Sequence, residues 1–327
     1  MHNHIGKLLQ GLDIRPVLMD IGASGAPPAI WNDIASQSIY IGLDPDLREI
    51  HEDKSSRFHR SVIFNEAVTA EKDATEAMVY LTRSPFCSTV LAPNPAATAA
   101  WLERDMFEVE SRASVRATTI ESVLRRLDLP SLDWVKLDTQ GTDLRLINSM
   151  SPDVLSRVMA IDTEPGLIDI YQCEDMFVDV HRDLTKNGFW LSGMHTGGFV
   201  RMRRGTLDAA REVNAKIDDQ YIRSSIRSSP AYLEARYLRT LEWLAEKSLS
   251  AREYIVLWIF ALTDDQLGFA LDLGVEFERK FGASDASRQL NAATWRLISR
   301  ARRRYTLSKA SAPIRRGLRS VLRTLLQ

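Results

Sequence analysis

A short stretch near the amino terminus, VLMDIGASGAPP over residues 17–28, constrains the fold more than any other. A strand-like run, Val17–Ile21, ends on a turn bracketed by Gly22 and Gly25, and prolines then open a helix expected over Pro28–Ser36. Proline suits a first helical turn, which makes no internal N–H bonds. Glycine supplies positive φ and lets backbone approach a neighbour closely. Strand, glycine turn and helix in that order open a doubly wound α/β unit, whose ligands bind at the carboxyl ends of the strands. The same stretch also fits a strand that merely turns.

The pattern continues along the chain. Further strand-like runs fall at Ser38–Asp44, Arg57–Val68, Ala77–Thr82, Trp134–Asp138, Val158–Glu164 and Phe189–Met194, with helical patterns at Thr119–Leu129, Thr142–Met150 and Met176–Asn187. This alternation predicts an α/β, mostly parallel, doubly wound sheet over residues 1–205. After Arg204 the spacing of Tyr232, Ala235, Leu238, Leu241 and Leu244 predicts an all-helical extension over 206–327. A chain of 327 residues suits this division into one sheet domain and an appendage.

Composition narrows the class. Hydrophobic residues at 45% and charged ones at 26% supply a sizeable core. Cys87 and Cys173 show no paired metal spacing, which indicates a reducing compartment and no structural zinc. The longest apolar run, Tyr254–Leu262, is far below the roughly 20 residues of a spanning helix, and no basic-then-apolar leader is present, so a cytoplasmic protein is expected. Beyond Asp285 there are 11 basic residues and no acidic one, so residues 1–285 hold 31 basic and 43 acidic groups, a net charge of −12. An acidic body carries a basic tail.

The turn reads D-x-G-x-x-G, not the G-x-G-x-x-G of dinucleotide sites. Asp20 at the strand tip would oppose a pyrophosphate and suit a ligand with positive charge, such as the ammonium and sulfonium of S-adenosylmethionine. Asp44, 24 residues on at the tip of the next strand, stands where a carboxylate accepts ribose hydroxyls.

Several motifs in fixed order, NEAVTA from Asn65, CSTVLAPN over 87–94, TTIESVLRRLDLPSLDWVKLDTQGTDLRLI over 118–147 and YQCEDMFVDVHRDLTKNGFWL over 171–191, resemble the FkbM family of S-adenosylmethionine-dependent methyltransferases. The likeness spans roughly residues 15–195, and KLDTQG is its most specific part. It implies a seven-stranded class I methyltransferase sheet and methylation of a hydroxyl, often on a sugar of a bacterial surface polysaccharide, glycolipid or precursor. It assigns the donor-binding turn to Asp20, Gly22, Ala23, Ser24 and Gly25, the ribose position to Asp44, the adenine side to Asn65 and Ala67, and the K-[IL]-D position to Asp138. This chain departs from the family at Ser24, at Asp44 and at the inserted Pro165-Gly166, which bears on Glu164 and Tyr171.

Methyl transfer to an alcohol needs alignment of two reactants and a base or cation for the hydroxyl proton. Asp138, Asp162 and Glu164 fall at adjacent strand tips, with Asp162 and Glu164 on one face. Grouped carboxylates either raise one another's pKa to make a base or share Mg²⁺. Asp138 is otherwise a cap or an ion-pair partner of Lys136 or Arg145. His195, on a glycine-flanked loop, is a second candidate base or simply the end of a hairpin. Thr139 and Gln140 either bond a ligand or form the turn.

Outside the likeness, Trp243, Trp258 and Trp295 read as core or homodimer contacts. Residues 312–327 alternate Ile314, Leu318, Val321 and Leu325 with four arginines, a basic amphipathic helix suited either to an anionic inner membrane surface bearing lipid-linked sugars or to the acidic body. No aromatic platform interleaves with the arginines, which argues against nucleic acid. Two other readings remain, an NAD-dependent sugar oxidoreductase or epimerase and a non-catalytic scaffold or glycan-binding module on the same fold.

Overall fold

The computed structural model describes residues 2–46, 56–247 and 249–302; the basic helix expected over 312–327 lies outside them. Its strands are β1 Val17–Ile21, β2 Ile39–Leu43, β3 Arg60–Phe64, β4 Ala67–Val68, β5 Glu76–Thr82, β6 Val109–Thr118, β7 Trp134–Leu137, β8 Ala160–Thr163, β9 Phe189–Phe199 and β10 Ser229–Arg239. Seven form the main sheet in the order β3-β2-β1-β7-β8-β10-β9. The first five of these are parallel, and β10 runs antiparallel to both neighbours. The fold is therefore α/β with a mostly parallel seven-stranded sheet, compatible with a Rossmann-like architecture. A smaller sheet has the order β4-β6-β5.

All five residues of β1 are buried, and all but Asp20 are apolar, as in parallel strands covered on both faces. The chain winds outward from β1 through β2 to β3, then returns to place β7 on the other side of β1. That reversal opens a crevice at the carboxyl ends of β1 and β7.

Four expectations are corrected. The helix after the glycine turn is two short 3₁₀ segments, Ala29–Asp33 and Ala35–Gln37, without side-chain caps; Trp31, fully buried edge-on to Tyr40 and Trp134, holds this segment against the sheet. The strand expected over Arg57–Val68 divides at Asn65 and Glu66, and its halves join different sheets. The strand at Phe189 runs on to Phe199, so His195 lies within it, opposite Glu234, and not on a loop.

The region after Arg204 is not all helical, because β10 completes the sheet between β8 and β9. Its composition, SPAYLEARYLR, is rich in helix formers, but burial follows a period of two through Ala231, Leu233, Ala235 and Tyr237. Pairing with strands on both sides overrides the local preference. By its contacts the chain divides into two compact units, residues 1–260 and 261–327. In the second unit, helix Leu267–Phe281 approaches a helix over 285–302 so closely that a Cβ on Gly274 would meet Asn291 Oδ1 at 2.4 Å. Trp258 is buried, whereas Trp295 is mostly exposed. Among the described residues no helix is long and apolar enough to cross a membrane.

Candidate functional site

The glycine turn is built against its neighbours. The amides of Gly22 and Ala23 both donate to the carbonyl of Leu43 at the end of β2, at 2.9 and 3.1 Å. Gly22 has φ +81°, and a Cβ there would lie 2.0 Å from the carbonyl oxygen of Asp138. Gly25 has the same φ, but its Cβ would meet nothing within 4 Å. Two amides that a pyrophosphate would need are thus used inside the fold.

At the ends of β1, β2 and β7 lies a cavity of about 90 Å³. Of the expected donor residues, Gly22, Ser24, Asp44 and Ala67 line it, together with Asp138. Asp44 is buried and accepts a 2.7 Å bond from the Asp46 amide. Burial pushes its pKa up to about 6, the Asp46 amide opposing and the charges of Asp46, Asp138 and Asp20 adding.

Asp20, expected to meet the ligand directly, lines neither this cavity nor the next. It is 2% exposed, accepts from the Tyr40 hydroxyl at 3.2 Å and lies 3.1 Å from Lys136 Nζ. Burial raises its pKa while Lys136 opposes. A carboxylate inside the sheet is neutralised by its neighbour on the next strand. Ala23, Gly25 and Asn65 are also outside the lining; exposed Asn65 donates to the Asp44 carbonyl at 3.0 Å, tying the tips of β2 and β3. Asp46 and Glu66 do line the cavity. Glu66 accepts two bonds from Arg126, at 2.6 and 3.1 Å, and was not legible because its strand breaks there.

A larger cavity of about 490 Å³ opens over β7, β8, β10 and β9. Two charge rows run across the strands at and beneath this cavity. In the inner row, Asp20, Lys136, Asp162 and Arg236 are successive register partners and alternate in sign. The Arg236 guanidinium holds both Asp162 oxygens, at 2.7 and 3.1 Å. The outer row brings Asp138, Glu164 and His195 to one cavity and adds Glu234, which a helical reading of β10 does not show. Among the described residues neither Glu164 nor Glu234 has an ion-pair partner.

Burial and the charge of Asp138 push the Glu164 pKa up to about 9, with Lys136 opposing and Glu234 adding. Both effects favour the protonated form of Glu164. The described residues contain no group of three or more His, Cys, Asp or Glu that could hold a metal ion, and Asp162 is committed to Arg236. The sharing of Mg²⁺ by Asp138, Asp162 and Glu164 finds no geometry here.

Asp138 lines both cavities. Its Oδ1 accepts from Gln140 Nε2 at 2.7 Å, and its Oδ2 lies 3.5 Å from Lys136 Nζ. Opposing carboxylates hold the Lys136 pKa above the ordinary lysine value although burial pulls it down. No family model matches the chain, and comparison with curated proteins finds no match. The small cavity, lined by Asp44, Asp46, Glu66 and Asp138, disfavours polyphosphate by charge and suits a cationic, hydroxyl-bearing ligand. Its volume is below the ~300 Å³ at which ligand pockets begin, with Phe86 and Thr89 on its wall.

Proposed function

We propose that this protein is an S-adenosylmethionine-dependent O-methyltransferase that acts on a sugar hydroxyl of a bacterial surface polysaccharide, glycolipid or precursor. One observation carries the reading: Asp138 belongs to the walls of two adjoining cavities, so ligands in the two would meet at a single carboxylate. The FkbM-like motifs, KLDTQG above all, and a seven-stranded sheet of the kind that likeness implies support it.

The donor would supply an electrophilic methyl group on a sulfonium. In this reading Asp44 accepts the ribose hydroxyls and Asp138 faces the positive charge, while Asp20 acts at one remove by holding Lys136. Glu164, whose proton burial and the Asp138 charge hold more tightly, donates a hydrogen bond to the acceptor. The imidazole of His195, on the same cavity wall, takes the hydroxyl proton in this reading. The segment bearing Phe86 and Thr89 must yield for an adenosyl group to enter.

That small volume is also what a non-catalytic scaffold would show. Calorimetry with S-adenosylmethionine and with NAD, followed by an assay for S-adenosylhomocysteine release over a panel of glycans, separates the readings. Tight NAD binding without the methyl donor sinks the proposal, and donor binding without turnover on any glycan favours the scaffold.

A further inference from the structure

Asp138 is aimed by residues that do not line the larger cavity. Gln140 sits at φ +55°, a left-handed conformation that residues other than glycine seldom adopt, and Gly141 follows at φ +104°. This tight reversal folds the Gln140 side chain back onto Asp138. At the other end of the amide the Tyr171 hydroxyl lies 2.9 Å from Gln140 Oε1 and 3.0 Å from the Cys87 carbonyl, two acceptors that share its single proton. The Asp138 carboxylate only accepts and so takes Nε2, which leaves Oε1 to accept from the Tyr171 hydroxyl.

Tyr171 is itself fixed. It is 1% exposed, edge-on to Phe107, and its segment is tied to the loop after Val90 by Asn94 N–H to the Ile170 carbonyl and Gln172 N–H to the Ala92 carbonyl, both 2.8 Å. We propose that Tyr171 and Gln140 are positioning residues that hold the Asp138 carboxylate toward the junction of the two cavities. The role in donor binding rests on the methyltransferase reading; the aim of Asp138 does not.

Two variants that keep shape and remove hydrogen bonds test it, Tyr171→Phe and Gln140→Met. Calorimetry with S-adenosylmethionine is expected to show each weakening binding about fivefold in the parent background, and less than about twofold when Asp138→Asn is already present. Equal losses in both backgrounds mean a purely structural role and overturn the proposal. A ligand-free readout stands beside it: in crystals of Tyr171→Phe, Gln140 Nε2 is expected to leave Asp138, and an unchanged contact overturns the proposal as well. If the parent does not bind the nucleotide at all, the methyltransferase reading fails, while the crystal result still decides whether Tyr171 aims Asp138.

Discussion

The ammonium of Lys136 lies 3.1 Å from the carboxylate of Asp20, its register partner on the neighbouring strand. The Asp20 side chain is only 3% exposed, so this pair sits where desolvation is costly and an abandoned charge is not rescued by water. Lys136→Met leaves Asp20 without its ion-pair partner beside Asp138. The expected loss of stability is about 3–5 kcal/mol by urea unfolding; a loss below about 1 kcal/mol would show that the pair is not holding the sheet.

The two turn glycines separate fold from function. Both have φ +81°, which costs a residue with a Cβ roughly 1–2 kcal/mol. Only at Gly22 would that Cβ also strike backbone, at 2.0 Å from the Asp138 carbonyl oxygen. Gly25→Ala is expected to cost about 1 kcal/mol in denaturant unfolding and Gly22→Ala about 3 kcal/mol or more. Equal costs would contradict the close approach of the turn to the exit of β7.

These contrasts explain what the sequence made legible. The strands whose apolar runs are buried in the sheet, β1, β2, β7 and β8, could be placed from residues alone, and with them Asp44, Asp138 and Glu164. Strand β6 could not, because its first four residues all face solvent and alternation begins only at Ala113, and even there the inward side chains are only half-buried. Strand β10 satisfies a helical spacing and a strand spacing at once, and only its partners on both sides decide between them, which hid Glu234. Asp20 stands at the expected strand tip, yet which way a carboxylate is neutralised depends on Lys136, a residue 116 positions away.

Crowding at the outer row makes stability depend on pH in a defined direction. The Glu164 pKa rises from 4.5 to about 9 on folding, so the folded state binds more protons than the unfolded chain between those values. Stability then falls as pH rises across that window. Glu164→Gln abolishes the term. Unfolding at pH 5, 7 and 9 should show the variant gaining on the parent with each step, and parallel profiles would mean that Glu164 is not held protonated.

Asp44 titrates lower, and the consequence concerns binding. Its pKa moves from 3.8 to about 6, chiefly through burial. Only the ionised carboxylate accepts hydrogen bonds from both hydroxyls of a ribose, since the protonated form turns one oxygen into a donor. Affinity for S-adenosylmethionine is therefore expected to climb as pH rises through 6 and to level off above about 7, with a slope no steeper than tenfold per pH unit for a single proton. Asp44→Asn keeps the shape, removes the charge and should flatten the profile at a lower affinity. Calorimetry of parent and variant from pH 5 to 8 checks this. A rise of the same steepness in Asp44→Asn would assign the titration to another group and remove Asp44 from the nucleotide site.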